Sequence, residues 1–316
     1  MSILRKIAGT AQQQELGFGK NATTSGRLMN ADGSFNVDRE NQSIWDNTYY
    51  YLITMPGWAF FLAIVGSFVL INTLFASVYL LLGVEHLNGI PPGDRWHNFM
   101  WAYFFSSQTL TTVGYGHVSP ANLATNIAAS FESFLGLLTF ALVSGLLYGR
   151  FSRPKAKIVF SDNMLIAPYR DGMGLMLRMG NARKSELLET EAQMILMANQ
   201  RDETGAVVRR FYPLSLEISK VSFFSLSWTV VHAINENSPL FGFNRSDLEE
   251  ANVEVLVLVK GVDEANHQLS YARRSYAGEE LIWNARFKPS IGRTQKGMPR
   301  MMTSRLGQYE LLGEED

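Results

Sequence analysis

Six consecutive residues, Thr111–Gly116, combine types suited to one kind of chemistry. Thr112, Val113, Gly114 and Tyr115 offer four successive backbone carbonyls, and carbonyls aimed at one axis can replace the water shell of a cation. An extended chain of L-residues points its carbonyls alternately to either side. Aiming them together calls for left-handed conformations, which Gly114 and Gly116 adopt without a Cβ penalty. The Thr112 hydroxyl adds a further oxygen below the carbonyls, while Val113 and Tyr115 point away and wedge the loop. In isolation the same letters also suit a plain turn, so the flanks must decide.

The flanks are long and apolar. Pro56–Val84 runs 29 residues without a charged side chain, more than the ~20 that a bilayer span needs. Val118–Gly149 carries a single charged residue, Glu132. Between them, Glu85–Asp94 reads as an outer loop, with Gly89, Pro91 and Pro92. Trp96–Leu110 is aromatic and too short to cross. A re-entrant pore helix fits it, because irregular backbone at membrane depth survives only where it lines a cavity. The C-terminal dipole of such a helix faces a cation. In the order span, pore helix, loop, span, the loop reads as an ion selectivity filter; T-V-G-Y-G is the established potassium form, supplied four times around one pore. The expected bounds are 56–84 for the first span, 96–110 for the pore helix, 111–116 for the filter and 119–150 for the second span, within a pore domain of 56–153.

Charge orients these segments. Arg5, Lys6, Lys20, Arg27 and Arg39 precede the first span, Arg95 alone lies between the spans, and Arg150, Arg153, Lys155 and Lys157 follow the second. The positive-inside rule then puts both termini in the cytoplasm of a multi-pass cell (inner) membrane protein. Ser43 as N-cap and Asp46 at N3 open an amphipathic helix over 43–55. It sets Trp45, Tyr49 and Leu52 on one face, as an interfacial slide helix requires. Residues 1–42 are rich in Gln, Asn, Gly, Ser and Thr and read as a flexible arm. Beyond Pro154 come short β-type runs at Lys157–Phe160, Leu175–Met179, Met194–Met197 and Val253–Val259. A helical turn over Ser246–Glu250, capped by Ser246, interrupts them. These runs predict a β-sandwich over 154–289, and the pattern then fades into a tail over 290–316.

Composition excludes other classes. A net charge of −1 over 316 residues argues against a nucleic-acid partner. The absence of cysteine rules out a disulfide framework, thiolate metal sites and thiol catalysis. The five histidines, at 86, 97, 117, 232 and 267, show no nucleophile–base or metal-ligand spacing, so no enzyme is expected.

From Ser43 to about Pro289 the chain resembles the inward-rectifier potassium channels, especially their prokaryotic, KirBac-type members. Arg150-Phe-Ser-Arg-Pro154 is similar to that family's junction between inner helix and cytoplasmic domain. His232-Ala-Ile-Asn-Glu-Asn-Ser-Pro-Leu-Phe241 resembles its H-x-I-D-E-x-S-P-L segment. Ala272-Arg-Arg-Ser-Tyr276, Glu280-Leu-Ile-Trp283 and Arg286-Phe287 resemble its ending. The resemblance implies a homotetramer conducting K+, with two transmembrane helices and a re-entrant pore helix per subunit and an immunoglobulin-like cytoplasmic β-sandwich. It implies a loop at Asn266, His267, Gln268 and Leu269 that narrows the cytoplasmic path. It also implies block by Mg2+ or a polyamine at the Phe140 position, where relatives often carry an acid; Phe there argues for weak rectification.

Several residues gain roles in that frame. Phe140, Ser144 and Tyr148, at i, i+4 and i+8, share a pore-lining face of the second span, and by the same spacing so does Glu132. The two rings are candidates for a hydrophobic gate. Glu132, an acid inside a span, either braces the filter or tunes the ion field. Gln108 stands behind the filter where many potassium channels carry a carboxylate, and His117 replaces an acid just after it. Arg150, Arg153, Lys155 and Lys157 cluster at the inner membrane edge, where each cation attracts anionic lipid by about 1 kcal/mol. In the family, phosphoinositides act there. The competing reading is a membrane-anchored sensor or binding module without conduction, which leaves the filter motif unused.

Overall fold

The computed structural model describes residues 27, 29–31, 33, 34, 36, 47–152, 157–183, 185–201, 204–265 and 267–313. They divide into a helical unit, 39–153, and a β unit formed by 154–316 with 1–38.

Among its described residues the helical unit holds four α-helices: α1 (Thr48–Thr54), α2 (Gly57–Leu82), α3 (Arg95–Leu110) and α4 (Leu123–Phe151). Of these, α2 and α4 are long and apolar enough to cross a bilayer. The 26 residues of α2 rise about 39 Å, against a hydrocarbon core of about 30 Å. Pro56 precedes α2 and Gly83, at φ 92°, closes it. Asp94 caps α3 by accepting from the His97 amide at 2.8 Å. The second span does not begin at 119, as sequence alone suggests. Ser119–Pro120 (β2) instead pairs with Leu87–Asn88 (β1), and α4 opens at Leu123 behind a capping box of Asn122 and Thr125. The expected cap Ser43 and the neighbouring Trp45 and Asp46 lie outside the described residues.

The β unit is two five-stranded sheets packed face to face. In the first, the order β11-β10-β6-β7 is antiparallel, with β8 also on β6; these are β6 (Leu187–Arg201), β7 (Val207–Leu214), β8 (Lys220–Phe224), β10 (Glu254–Asp263) and β11 (Leu269–Ala277). In the second, the order is β12-β4-β5-β3, with β9 on β5. Its strands are β3 (Ile158–Phe160), β4 (Met164–Tyr169), β5 (Gly172–Asn181), β9 (Ser227–Ile234) and β12 (Leu281–Trp283). Alternation with period two builds the core. Val255, Val257 and Val259 of β10 join Met194, Leu196, Leu175, Leu177 and Val230 between the sheets, while the intervening Leu256 faces the other way.

Two expectations of the β unit need correction. The arm is not wholly loose: Met29 is fully buried against Ile195, Met197, Phe211 and Leu256, on the outer face of the first sheet. The tail over 290–316, whose order is not legible in the sequence, carries strands among its described residues: β14 (Ile291–Arg293) pairs with β15 (Pro299–Met301), and β16 (Tyr309–Leu311) returns to β13 (Ala285–Phe287). The helical turn is α5 (Arg245–Glu250), capped by Asn244 and not by Ser246, with Asp247 closing a capping box.

Candidate functional site: the pore loop and its supports

The loop at the end of α3 takes the backbone its residues suggest. Gly114 has φ 51° and Gly116 φ 80°. Thr112 is left-handed as well, at φ 61°, a conformation that costs a β-branched residue. The loop is therefore held by something other than local preference. The Gln108 carbonyl accepts from the amides of Val113 at 2.9 Å and Gly114 at 3.2 Å, so Gln108 supports the loop through its backbone. Tyr115 lines a cavity of about 580 Å³ with Trp96, Trp101, Phe104 and Gln108. Val113 and Tyr115 are 53% and 78% exposed on the protomer. His117 is exposed, with its ring 6.0 Å from that of Trp101.

Behind the loop lies a buried polar cluster that joins all three long helices. Glu132 of α4 accepts the Tyr79 hydroxyl of α2 at 2.7 Å and hydrogen-bonds Ser106 of α3. Ser106 also lies 2.9 Å from Asn72 Oδ1 of α2. None of the four is exposed. Glu132 therefore does not share the face of Phe140, as the i, i+8 spacing implies. Phe140, Ser144 and Tyr148 are exposed, with Phe140 at 75% and Tyr148 at 76%. Eight residues advance a helix by 800°, which leaves an 80° offset, and it is the face of Glu132 and Gly136 that meets α3. Ser106 and Tyr79 were not singled out from sequence, since nothing in their own spacing ties them to Glu132.

At the cytoplasmic end of α4, Arg150 is engaged within the helical unit. Its guanidinium donates to the carbonyls of Leu52 at 2.8 Å and Met55 at 2.9 Å, and it lies 4.5 Å over the Phe60 ring. The expected lipid ligand thus satisfies the C-terminal carbonyls of α1. Lys157 is exposed; Arg153 and Lys155 lie outside the described residues. In the β unit, His267 and Gln268 belong to the turn between β10 and β11, and Leu269 opens β11. The Asp263 carbonyl accepts from the His267 amide at 2.8 Å, and the Asp263 amide donates to the Gln268 carbonyl at 3.0 Å. Asn266 is outside the described residues.

Comparison with known proteins gives this geometry a family. Residues 158–310 match the model of the inward rectifier potassium channel C-terminal domain, and residues 66–152 match an ion channel model. Inward rectifier potassium channel Kirbac3.1 of Paramagnetospirillum magnetotacticum is 36% identical over 264 residues, covering 83% of this chain and 88% of that one. The chain belongs to the inward-rectifier potassium channel family. Two mammalian inward rectifiers are more distant. Inward rectifier potassium channel 18 of Homo sapiens is 30% identical over 280 residues, 81% of this chain and 63% of its own length. ATP-sensitive inward rectifier potassium channel 12 of Mus musculus is 30% identical over 297 residues, 84% and 67%. As an inward rectifier, the chain is a membrane-spanning ion-transport protein with K+ as its permeant ion.

Proposed function

We propose that four copies of this chain surround one central pore and pass K+ passively across the cell (inner) membrane, with both termini in the cytoplasm. The observation that carries the reading is the Thr112–Gly116 loop. Three left-handed residues stand at alternate positions, as carbonyls turned to one axis require, yet Val113 and Tyr115 are left uncovered on the single protomer. A ring of neighbours covers such side chains and completes the carbonyl cage of Thr112, Val113, Gly114, Tyr115 and Gly116. The exposed Phe140, Ser144 and Tyr148 then line the inner pore. The two rings form a constriction that gates by dewetting, and the loop at Asn266, His267, Gln268 and Leu269 narrows the path in the cytoplasm. With Phe at position 140, block by Mg2+ or polyamine is weak and so is rectification. Anionic phospholipid acts at Arg153, Lys155 and Lys157.

Flux from liposomes of defined lipid tests this, with a K+ or Na+ gradient and with or without phosphoinositide. K+ flux well above Na+ flux is expected, with a rate that depends on the anionic lipid. Gly114→Ala is expected to abolish it while the oligomer persists on a sizing column, because the loss is confined to a left-handed backbone position. Equal K+ and Na+ flux overturns the reading.

A further inference from the structure

The buried cluster of Glu132, Ser106, Tyr79 and Asn72 permits a count of hydrogens. Tyr79 donates to Glu132 Oε2 at 2.7 Å, and Ser106 Oγ is hydrogen-bonded to Glu132 Oε1. Ser106 Oγ also lies 2.9 Å from Asn72 Oδ1. The Asn72 amide is oriented by its own helix, where Nδ2 donates to the Phe68 carbonyl at 2.7 Å. Turning the amide over would press two oxygens together at that distance. Asn72 Oδ1 is therefore an acceptor, and its hydrogen comes from Ser106.

A hydroxyl has a single hydrogen. Were Glu132 ionised, Ser106 would face two acceptors with one hydrogen, and one oxygen pair would be in contact with none between them. That is a costly state where nothing is exposed. No cation relieves it, since none of the ion pairs among the described residues includes Glu132. The count closes if the carboxyl itself carries a hydrogen. Glu132 then donates to Ser106, Ser106 to Asn72, Asn72 to Phe68, and Tyr79 to Glu132. Every polar atom has a partner and the net charge is zero, as a site inside a span favours.

We propose that Glu132 is a neutral carboxylic acid that acts as a hydrogen-bond donor, pinning the pore helix to both spans, and not as a negative charge in the ion field. One turn along α4, Gly136 passes so close to the Leu110 carbonyl that a Cβ would sit 2.0 Å from it. The pinned seam thus ends on the residue just before Thr111. The positioning role rests on reading Thr112–Gly116 as the filter; the protonation of Glu132 does not.

Glu132→Gln separates the alternatives, because the amide keeps a donor for Ser106 and an acceptor for Tyr79 at nearly the same volume while removing any charge. Infrared spectra of the oligomer in lipid are expected to show the C=O stretch of a protonated carboxylic acid, missing in Glu132→Gln. The variant is expected to keep the wild-type unitary conductance and K+/Na+ selectivity. Glu132→Ala is expected to lose selectivity, a loss that Gln repairs. Absence of the acid band, or a drop of about tenfold or more in the Gln variant's conductance, as removal of a field-focusing charge would bring, overturns the proposal. The infrared result stands whether or not the wild type conducts, so a failed flux assay leaves the protonation test intact.

Discussion

Two fully buried glutamates, one in each unit, are held in opposite ways. Glu132 in the membrane unit meets two hydroxyls, one of them shared with the Asn72 amide, and no ion pair among the described residues includes it. Glu254 in the β unit meets the Arg209 guanidinium at 3.0 Å, both side chains being at most 2% exposed. Its other oxygen accepts from Ser275 and from the Met29 amide at 3.2 Å. Arg209 is held in turn by Asn199 Oδ1 at 3.1 Å and the Asn252 carbonyl at 3.0 Å. The difference follows the surroundings. A protein core inside water can import a compensating charge and satisfy it completely. Between membrane helices a proton is the cheaper counter-ion, and a chain of neutral hydrogen bonds gives the same rigidity without an ion pair. The charged version also does a second thing: it fastens the segment around Met29 to the outer face of the first sheet.

The largest effect expected from this contrast is at Arg209. Arg209→Met leaves the Glu254 carboxylate buried without its cation, a loss of about 3–5 kcal/mol. Thermal unfolding followed by circular dichroism is expected to show the β unit melting well below wild type. The matching substitution at Glu132, by Gln, replaces a neutral acid with a neutral amide and is expected to leave the melting of the membrane unit nearly unchanged. Equal destabilisation by the two substitutions would erase the distinction.

Next in size is Gly136→Ala, which strikes the seam of α4 and α3 without touching a polar group. The added methyl meets backbone at Leu110, so the helices must part, at about 1–3 kcal/mol. The pore helix carries the loop with it, so K+/Na+ selectivity is expected to fall in liposome flux while the oligomer survives. A fall in stability with selectivity intact would show that the seam supports the fold but not the loop.

Much of the frame was legible because its signals are local. Twenty-nine residues in a row without a charge, as over Pro56–Val84, or glycine at alternate positions in T-V-G-Y-G, need no partner to be recognised. What escaped depends on distance along the chain. Tyr79 and Ser106 lie 53 and 26 residues from Glu132, and only the crossing of three helices brings them together. Thr112 is left-handed because the Gln108 carbonyl and the end of α3 hold the loop, which no propensity for threonine foretells. The residues after 290 lack a run of alternation because their anchors are single side chains, such as Leu306, 1% exposed and close to Gly180. Arg150 looked like one of four similar cations, and only its position beside the carbonyls of Leu52 and Met55 separates it from the others. The spacing of the histidines likewise concealed the pairing of His232 with Ser238, six residues on.

His232 extends the comparison to a third buried ionisable group, with the smallest expected effect. It lies in the β unit, 3% exposed, yet it is held as Glu132 is, by neutral partners. Nδ1 is 2.7 Å from the Ser215 carbonyl and must donate to it, so Nε2 accepts from Ser238 Oγ at 2.8 Å. Ser238 Oγ also accepts from the Leu240 amide. A proton on Nε2 would turn that acceptor into a donor and strand the hydroxyl hydrogen of Ser238. Glu217, which lines the same cavity, is already paired with Arg170 at 2.9 Å. Burial lowers the His232 pKa, and the hydrogen bond to Ser215 offsets only part of this. The unfolded chain therefore binds the extra proton more readily. The stability contributed by neutral His232 is fully present above the unfolded value of about 6.5 and declines as pH falls from there toward the lower folded value. The Tm of the β unit is expected to drop between pH 7.5 and 5.5, and His232→Gln to flatten that part of the profile. An unchanged slope in the variant would assign the pH dependence elsewhere and leave Glu132, of the three groups compared, as the one kept neutral by its hydrogen-bond partners.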